Sequence, residues 1–356
     1  MVLPTVWALF ALVIMTAMAP SPAAATIVPE QPERIVAVGD LHADVAAWRA
    51  IARHAGLVDA RGRWTGGRTV LVQMGDVPDR GPDSLSIVRD LMRLQREAAG
   101  AGGRVIVLVG NHEAMMMTGD LRYVSEGEYA AFADRGSARR REQVYRANRD
   151  MIEEGFRRRD PSMEREAIRA AWMKATPLGS VELQAAWHPR GWIGQWVLRN
   201  PAVARVGDTL FVHGGISSAY SEWTIERINA EVARALQRRE QSADSIINNP
   251  DGPLWYRGYA RSSGQAADNG TDRPKVEQQL ETVLTRFGAR RKVIGHTPDP
   301  SGILLLFEGR LARIDTGISA AYGGVPSYLE IQGDRLVPHL VPRPDPASPR
   351  SDADRW

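Results

Sequence analysis

The chain has 356 residues, of which 44% are hydrophobic and 24% charged. That composition can bury a full core and excludes disorder of the bulk of the chain. The net charge is only +3, and Lys174, Lys275 and Lys292 are the only lysines among many arginines; so small a basic excess gives no argument for nucleic acid. There is no cysteine, which rules out disulfides, thiolate nucleophiles and Cys-ligated zinc.

The first element is the apolar run VWALFALVIMTAM, residues 6 to 18, followed by small residues at Ala23 and Ala25. Its pattern is that of an export signal, although no Lys or Arg precedes the run. The run is shorter than the ~20 residues a transmembrane helix needs. The expectation is a signal peptide over residues 1–25, an exported product (periplasmic or secreted), and no stable membrane span after cleavage.

Three short β-branched runs follow: RIVAVGD (34–40), TVLVQMGD (69–76) and RVIVLVGN (104–111). Each ends in a glycine plus a polar residue. Between them, DVAAWRAIARHAGLV and SLSIVRDLMRLQREAAGAGG have helical spacing. Strand–helix–strand–helix–strand implies βαβ units and a mostly parallel sheet, with ligands bound beyond the carboxyl ends of the strands. Residues from about 120 to 200 read as a helical, arginine-rich insertion: either a solvated helical face or a lid over a pocket. From about 203 the chain reads as mainly β. VARVGDTLFVHGG turns at Gly207-Asp208, ILLLFEGRLARID at Glu308-Gly309 and SYLEIQGDRLVPHL at Gly333-Asp334. Residues 342–356 read as a disordered tail, which makes 26–341 one catalytic domain.

The chemistry lies at the strand ends: Asp40 and His42; Asp76, Asp79 and Arg80; Asn111 and His112; His213; His296. Singly, each has an ordinary structural explanation, such as a turn, a helix cap or a hydrogen-bonded core histidine. Together, carboxylate, imidazole and amide oxygen are the ligand set for divalent ions, and they are too many for one ion. A pair of ions suits phosphate ester hydrolysis, a histidine can protonate the leaving group, and guanidinium groups match phosphate oxygens. Arg80, in GDVPDRG, is placed for that task; Arg257, in PLWYRGY, is a second candidate. Glu113 either supports a neighbouring histidine or makes a local structural hydrogen bond. Met115, Met116 and Met117 read as packing under the insertion. Of Trp172, Trp187, Trp192 and Trp196, most are expected in the core and one or two in a pocket wall.

In order and rough spacing, GDLH, GDVPDRG, GNHE, HGG and GHT resemble the motifs of the metallo-dependent phosphoprotein phosphatases. GNHEAMMMTGDLRYV, PLWYRGY and IDTGISAAYGGVPSYLEI are similar to the Shewanella-like group. The resemblance covers about residues 34 to 332. It implies an α/β fold, a calcineurin-like β-sandwich flanked by helices. It also implies two divalent metal ions (manganese, iron or zinc). Asp40, His42 and Asp76 would hold the first, and Asp76, Asn111, His213 and His296 the second. His112 would be the general acid, oriented by Asp79, and Arg80 and Arg257 would bind phosphate. Ala43 departs from the family, which usually has glycine there; a methyl group is strained if φ is positive. Met116 stands where relatives often have asparagine.

The expected function is a metal-dependent phosphomonoesterase acting on phosphotyrosine or phosphoserine/threonine in proteins or peptides. Two other readings compete with it. One is a nucleotide or dinucleoside polyphosphate hydrolase, against which export counts. The other is a metal-binding pseudoenzyme, against which the intact His112, Asp79 and Arg80 count. No nucleic-acid partner is expected.

Overall fold

The computed structural model of the protein describes residues 27–28, 30–261 and 273–343. The expected signal segment and all but the first two residues of the expected tail lie outside the described residues. The strands are β1 (Ile27–Val28), β2 (Ile35–Val38), β3 (Val70–Gln73), β4 (Arg104–Val107), β5 (Val203–Val206), β6 (Thr209–Val212), β7 (Arg291–Ile294), β8 (Leu304–Leu306), β9 (Leu311–Arg313), β10 (Ser327–Gln332) and β11 (Arg335–Leu340). One sheet has the order β11-β10-β2-β3-β4, the other β1-β5-β6-β7-β9-β8.

β2, β3 and β4 run parallel and are connected by α1 (Val45–His54) and α2 (Ser84–Gly100), the expected βαβ arrangement. The hairpin β10–β11 closes this sheet on the other side of β2, antiparallel to it. In the second sheet β6, β7 and β9 are parallel, while β5–β6 and β8–β9 are the hairpins expected at their glycine turns. β2 (IVAV) reads as an unbroken apolar run because both its faces are covered. Ile35 and Ala37 face the second sheet, in a core shared with Phe211, Val293 and Ala312. Val36 and Val38 face the other way, under Trp48 and Ile51 of α1 and Leu91 of α2. The result is an α/β sandwich flanked by helices.

The region after residue 203 is not mainly β. Between β6 and β7 lie α10 (Ile225–Arg238), the short α11 (Gly258–Arg261) and α12 (Arg273–Phe287). Ile225, Ile228, Val232, Ala235 and Leu236 form one buried stripe on α10, and Val276, Leu280, Val283 and Leu284 another on α12. That 3.6-residue period is present in the sequence and was outweighed by the hairpin turns around it.

Between α3 (Asn111–Thr118) and β5 stand six helices: α4 (Glu126–Phe132), α5 (Ser137–Ala147), α6 (Arg149–Arg157), α7 (Arg165–Ala175), α8 (Ser180–Trp187) and α9 (Trp192–Val197). Tyr145, Ile152, Ile168 and Trp172 give this region a small core of its own. Met115, Met116 and Met117 are buried, as are Trp187 and Trp196, while Trp192 is 43% exposed. Among the described residues no helix is long and apolar enough to cross a membrane.

Candidate metal centre and phosphate site

The carboxyl ends of β2, β3, β4, β6 and β7 converge. The turn after β2 hangs on the turn after β3, since the Leu41 and His42 N–H groups donate to the Asp76 carbonyl at 3.1 and 3.0 Å. The turn after β7 hangs on β6 through Gly295 N–H to His213 O at 2.8 Å. Close approach demands glycine. A Cβ on Gly75, whose φ is +91°, would lie 2.6 Å from the Gly110 nitrogen, and one on Gly110 would overlap the Asp76 carboxylate. His42, Ala43, Asp76, Asp79, Arg80 and His296 all have positive φ. Such backbone costs about 1–3 kcal/mol per residue and persists where surrounding structure dictates it. Ala43, at φ 55°, therefore occupies the strained position that a family glycine would relax.

Two compact groups of possible metal-binding atoms result: His42, Asp76 and His112, and Asp76, His213 and His296, each with atoms within 4.8 Å of one another. Asp76 belongs to both. Asn111 joins the second group, its Oδ1 lying 3.0 Å from His213 Nε2. Asp40 lies beside it, accepting the His296 N–H at 3.1 Å and standing 4.0 Å from His213 Nδ1. All six expected ligands are buried.

The donor chemistry suits cations. His213 Nδ1 donates to the Met74 carbonyl at 2.8 Å. Its Nε2 then faces two acceptor oxygens, Asn111 Oδ1 at 3.0 Å and Asp76 Oδ2 at 3.3 Å. A divalent ion among these atoms would reconcile them. His42 Nδ1 is held by the Pro78 carbonyl at 3.2 Å, and His296 Nε2 by that of Trp255 at 3.2 Å. Such carbonyl contacts fix the tautomer and leave one ring nitrogen free as a ligand. Burial lowers the His42 pKa to about 3 and holds His296 well below the ordinary imidazole value, so both rings are neutral. Burial and then the nearby Asp315 and Asp76 charges push Asp40 well up. Burial also opposes ionisation of Asp76, but His213, His112 and His42 outweigh it and hold the carboxyl well below its usual range. Neither Asp40 nor Asp76 has a lysine or arginine ion-pair partner among the described residues. The buried His/Asp clusters fit a dinuclear metal site.

His112 differs from the other histidines. Its Nδ1 lies 2.6 Å from Asp79 Oδ2, a carboxylate rather than a carbonyl. Burial pulls its pKa down, yet the Asp76 charge and the Asp79 hydrogen bond and charge leave it raised. The exposed Arg80 guanidinium lies 3.8 Å from the centroid of the Tyr123 ring and 5.6 Å from that of Tyr322. Arg257 Nη1 donates to the His296 carbonyl at 2.9 Å and to Thr297 Oγ1 at 2.8 Å, so it stands at the rim of the second group. Glu113 resolves to the structural alternative. Its oxygens accept the N–H groups of Gly110 (2.8 Å), Asp76 (2.9 Å) and Val77 (2.8 Å), and among the described residues it makes no hydrogen bond to a histidine.

Three residues were missed by the sequence reading. Asp315 is buried, accepts the Gly317 N–H at 2.9 Å, and has its pKa raised to about 6, first by burial and then by Asp76. It follows β9, so the rule that found the other strand ends applied to it as well. Tyr123 and Tyr322 flank the cluster, with ring centroids 5.3 Å from His112 and 5.1 Å from His42 respectively. No periodicity marked either one.

A sandwich whose strand ends bring buried histidines and aspartates together beside two arginines is the architecture of a metallophosphoesterase. Residues 33–300 match the calcineurin-like phosphoesterase family. Shewanella-like protein phosphatase 2 of Arabidopsis thaliana is 33% identical over 323 residues, covering 88% of this chain and 79% of that protein. Shewanella-like protein phosphatase 1 of Plasmodium berghei is 27% identical, over 85% of this chain and 73% of that one. Among solved structures, a cold-active protein-tyrosine phosphatase of a psychrophile, a Shewanella species, is 25% identical with a TM-score of 0.65, covering 89% of this chain and 80% of that one. The chain belongs to the calcineurin-like phosphoesterases and, within them, to the Shewanella-like protein phosphatases.

Proposed function

We propose that this metallophosphoesterase is a phosphoprotein phosphatase that favours phosphotyrosine over phosphoserine and phosphothreonine. The single observation that carries the hydrolytic reading is the His112–Asp79 pair set beside the clustered ligands. Asp40, His42, Asp76, Asn111, His213 and His296 would hold two divalent ions (manganese, iron or zinc), which would supply the Lewis acidity that attack on a phosphate ester requires.

The chain's own residues do the rest. Asp79 accepts a hydrogen bond from His112 Nδ1–H, which leaves Nε2 to hand a proton to the departing oxygen. Arg80 and Arg257 offer planar donors to the phosphoryl oxygens. Arg257 is steadied by the His296 carbonyl and Thr297, and Arg80 by stacking on Tyr123. The two tyrosines support the aryl preference, because an aromatic leaving group can pack against their rings while serine offers no such face. The similar solved protein-tyrosine phosphatase supports the same choice.

The test is kcat/KM on matched phosphotyrosine and phosphoserine peptides, with Tyr123→Ala and Tyr322→Ala alongside. The wild type is expected to prefer phosphotyrosine, and each variant to lose most of that preference. Equal rates on both peptides would defeat the aryl reading.

A further inference from the structure

The segment that carries Arg257 rests on a buried amine. Lys292, in β7, is fully buried. Its neighbour Val293 faces the other sheet, so Lys292 points to the helical side. Its Nζ has no hydrogen-bond partner among the described residues and lies 3.0 Å from the centroid of the Tyr259 ring. Burial holds the amine well below the ordinary lysine pKa.

Tyr259 is itself fully buried, and its hydroxyl donates at 2.8 Å to the carbonyl of Ile216, in the turn that begins at His213. Gln279 Nε2 donates to the same carbonyl at 3.2 Å, and its Oε1 accepts from the Tyr256 hydroxyl at 2.9 Å. The Tyr256 and Tyr259 rings meet edge to face at 5.4 Å and close on Gly215, where a Cβ would lie 2.9 Å from either ring. Arg257 stands between these two tyrosines in sequence, and the Trp255 carbonyl holds His296. One short segment thus touches both the His213 turn and the His296 turn.

We infer that Lys292 and Tyr259 form a positioning pair: the amino group set against the ring fixes the Trp255–Tyr259 segment, and with it the aim of Arg257 at a bound phosphoryl group. The inference rests on the phosphatase reading. A buried amine without a hydrogen bond costs stability, and a methionine fills similar space without that cost. Replacing it should therefore move stability and phosphate affinity in opposite directions, which a purely structural role would not do.

The experiment uses the manganese-loaded full chain, with p-nitrophenyl phosphate as substrate and inorganic phosphate as competing ligand. Wild type is compared with Lys292→Met, Tyr259→Leu and the double variant. Lys292→Met is expected to melt no lower than wild type. Its KM and its inhibition constant for phosphate should rise about tenfold, with kcat within about twofold, the pattern of lost uniform binding. The double variant should shift no further than the larger single, because one contact is removed once. If Tyr259→Leu does not fold, Lys292→Met alone decides. A Lys292→Met protein that melts higher with unchanged KM and phosphate inhibition overturns the inference and leaves the phosphatase reading standing. A wild type that releases no phosphate overturns both.

Discussion

Glu113 ties together two turns of the site. Its carboxylate takes three backbone N–H groups, one from the turn after β4 and two from the turn that presents Asp76. Glu113→Gln keeps the shape but turns an acceptor into a donor facing a backbone N–H. It should cost about 1–3 kcal/mol in urea unfolding and loosen metal retention; an unchanged midpoint would show that the three bonds carry no stability. His112→Asn addresses the acid directly. It should lower kcat by about 10²–10⁴ while leaving bound metal, counted by mass spectrometry, near the wild-type level. If the metal is lost as well, His112 serves as a ligand, a role its place in the first compact group also permits. The metal ligands legible in sequence share one trait: each lies at or just past the end of an apolar run, and Asp40, Asp76, Asn111 and His296 directly follow a glycine. Asp315 shares it, but it also ends the ILLLFEGRLARID hairpin, and a hairpin end needs no ligand role to explain a polar residue. Tyr123 and Tyr322 approach the site from loops, and a loop gives no period from which to infer its path.

A buried carboxyl group helps to join α2 to the insertion, beside the hydrogen bond from Trp196 Nε1 to Gln95 Oε1. Glu128, on α4, is buried and accepts the Ser84 N–H at 3.1 Å and the Ser84 hydroxyl at the start of α2. Burial raises its pKa from 4.5 to about 7. The folded state therefore holds this proton more tightly than the unfolded chain does. Its contribution to stability is complete below about pH 4.5 and is lost as the pH rises to about 7. The loss should be about 1–3 kcal/mol. Glu128→Gln cannot titrate, so its urea midpoint should fall less between pH 5 and pH 8 than that of the wild type. Parallel pH profiles would assign Glu128 no part in the pH dependence. At this scale the strands of the first βαβ units were legible because their apolar runs end sharply in glycine. Helices α10 and α12 were not, because both lie between strand-like runs, VARVGDTLFVHGG and RRKVIGHT, whose turn signals dominate that part of the chain. The Asn148 break between α5 and α6 also falls inside a run that reads as one helix.

Across the whole molecule, two sheets are needed to build one site. The first supplies Asp40, His42, Asp76, Asn111 and His112, the second His213, His296 and the neighbouring Asp315. The sandwich core that packs Ile35 and Val72 on Phe211 and Val293 is thus also what sets the distance between the two ligand groups. Bringing Asp40, Asp76 and Asp315 together is unfavourable without a cation, and burial deepens the cost. Ligands that bind only the folded state raise its stability by mass action. Stripping the protein with chelator should lower its melting temperature, and manganese should restore it; no change would mean that the carboxylates are balanced by protons instead. The most direct measurement is phosphate release from a phosphotyrosine peptide by chelator-stripped protein, with and without added manganese, beside His112→Asn. Release that depends on the metal and is largely lost in the variant is the expected result. No release under any metal, or equal release by wild type and variant, would contradict the assignment of this site as a metal-dependent phosphatase centre.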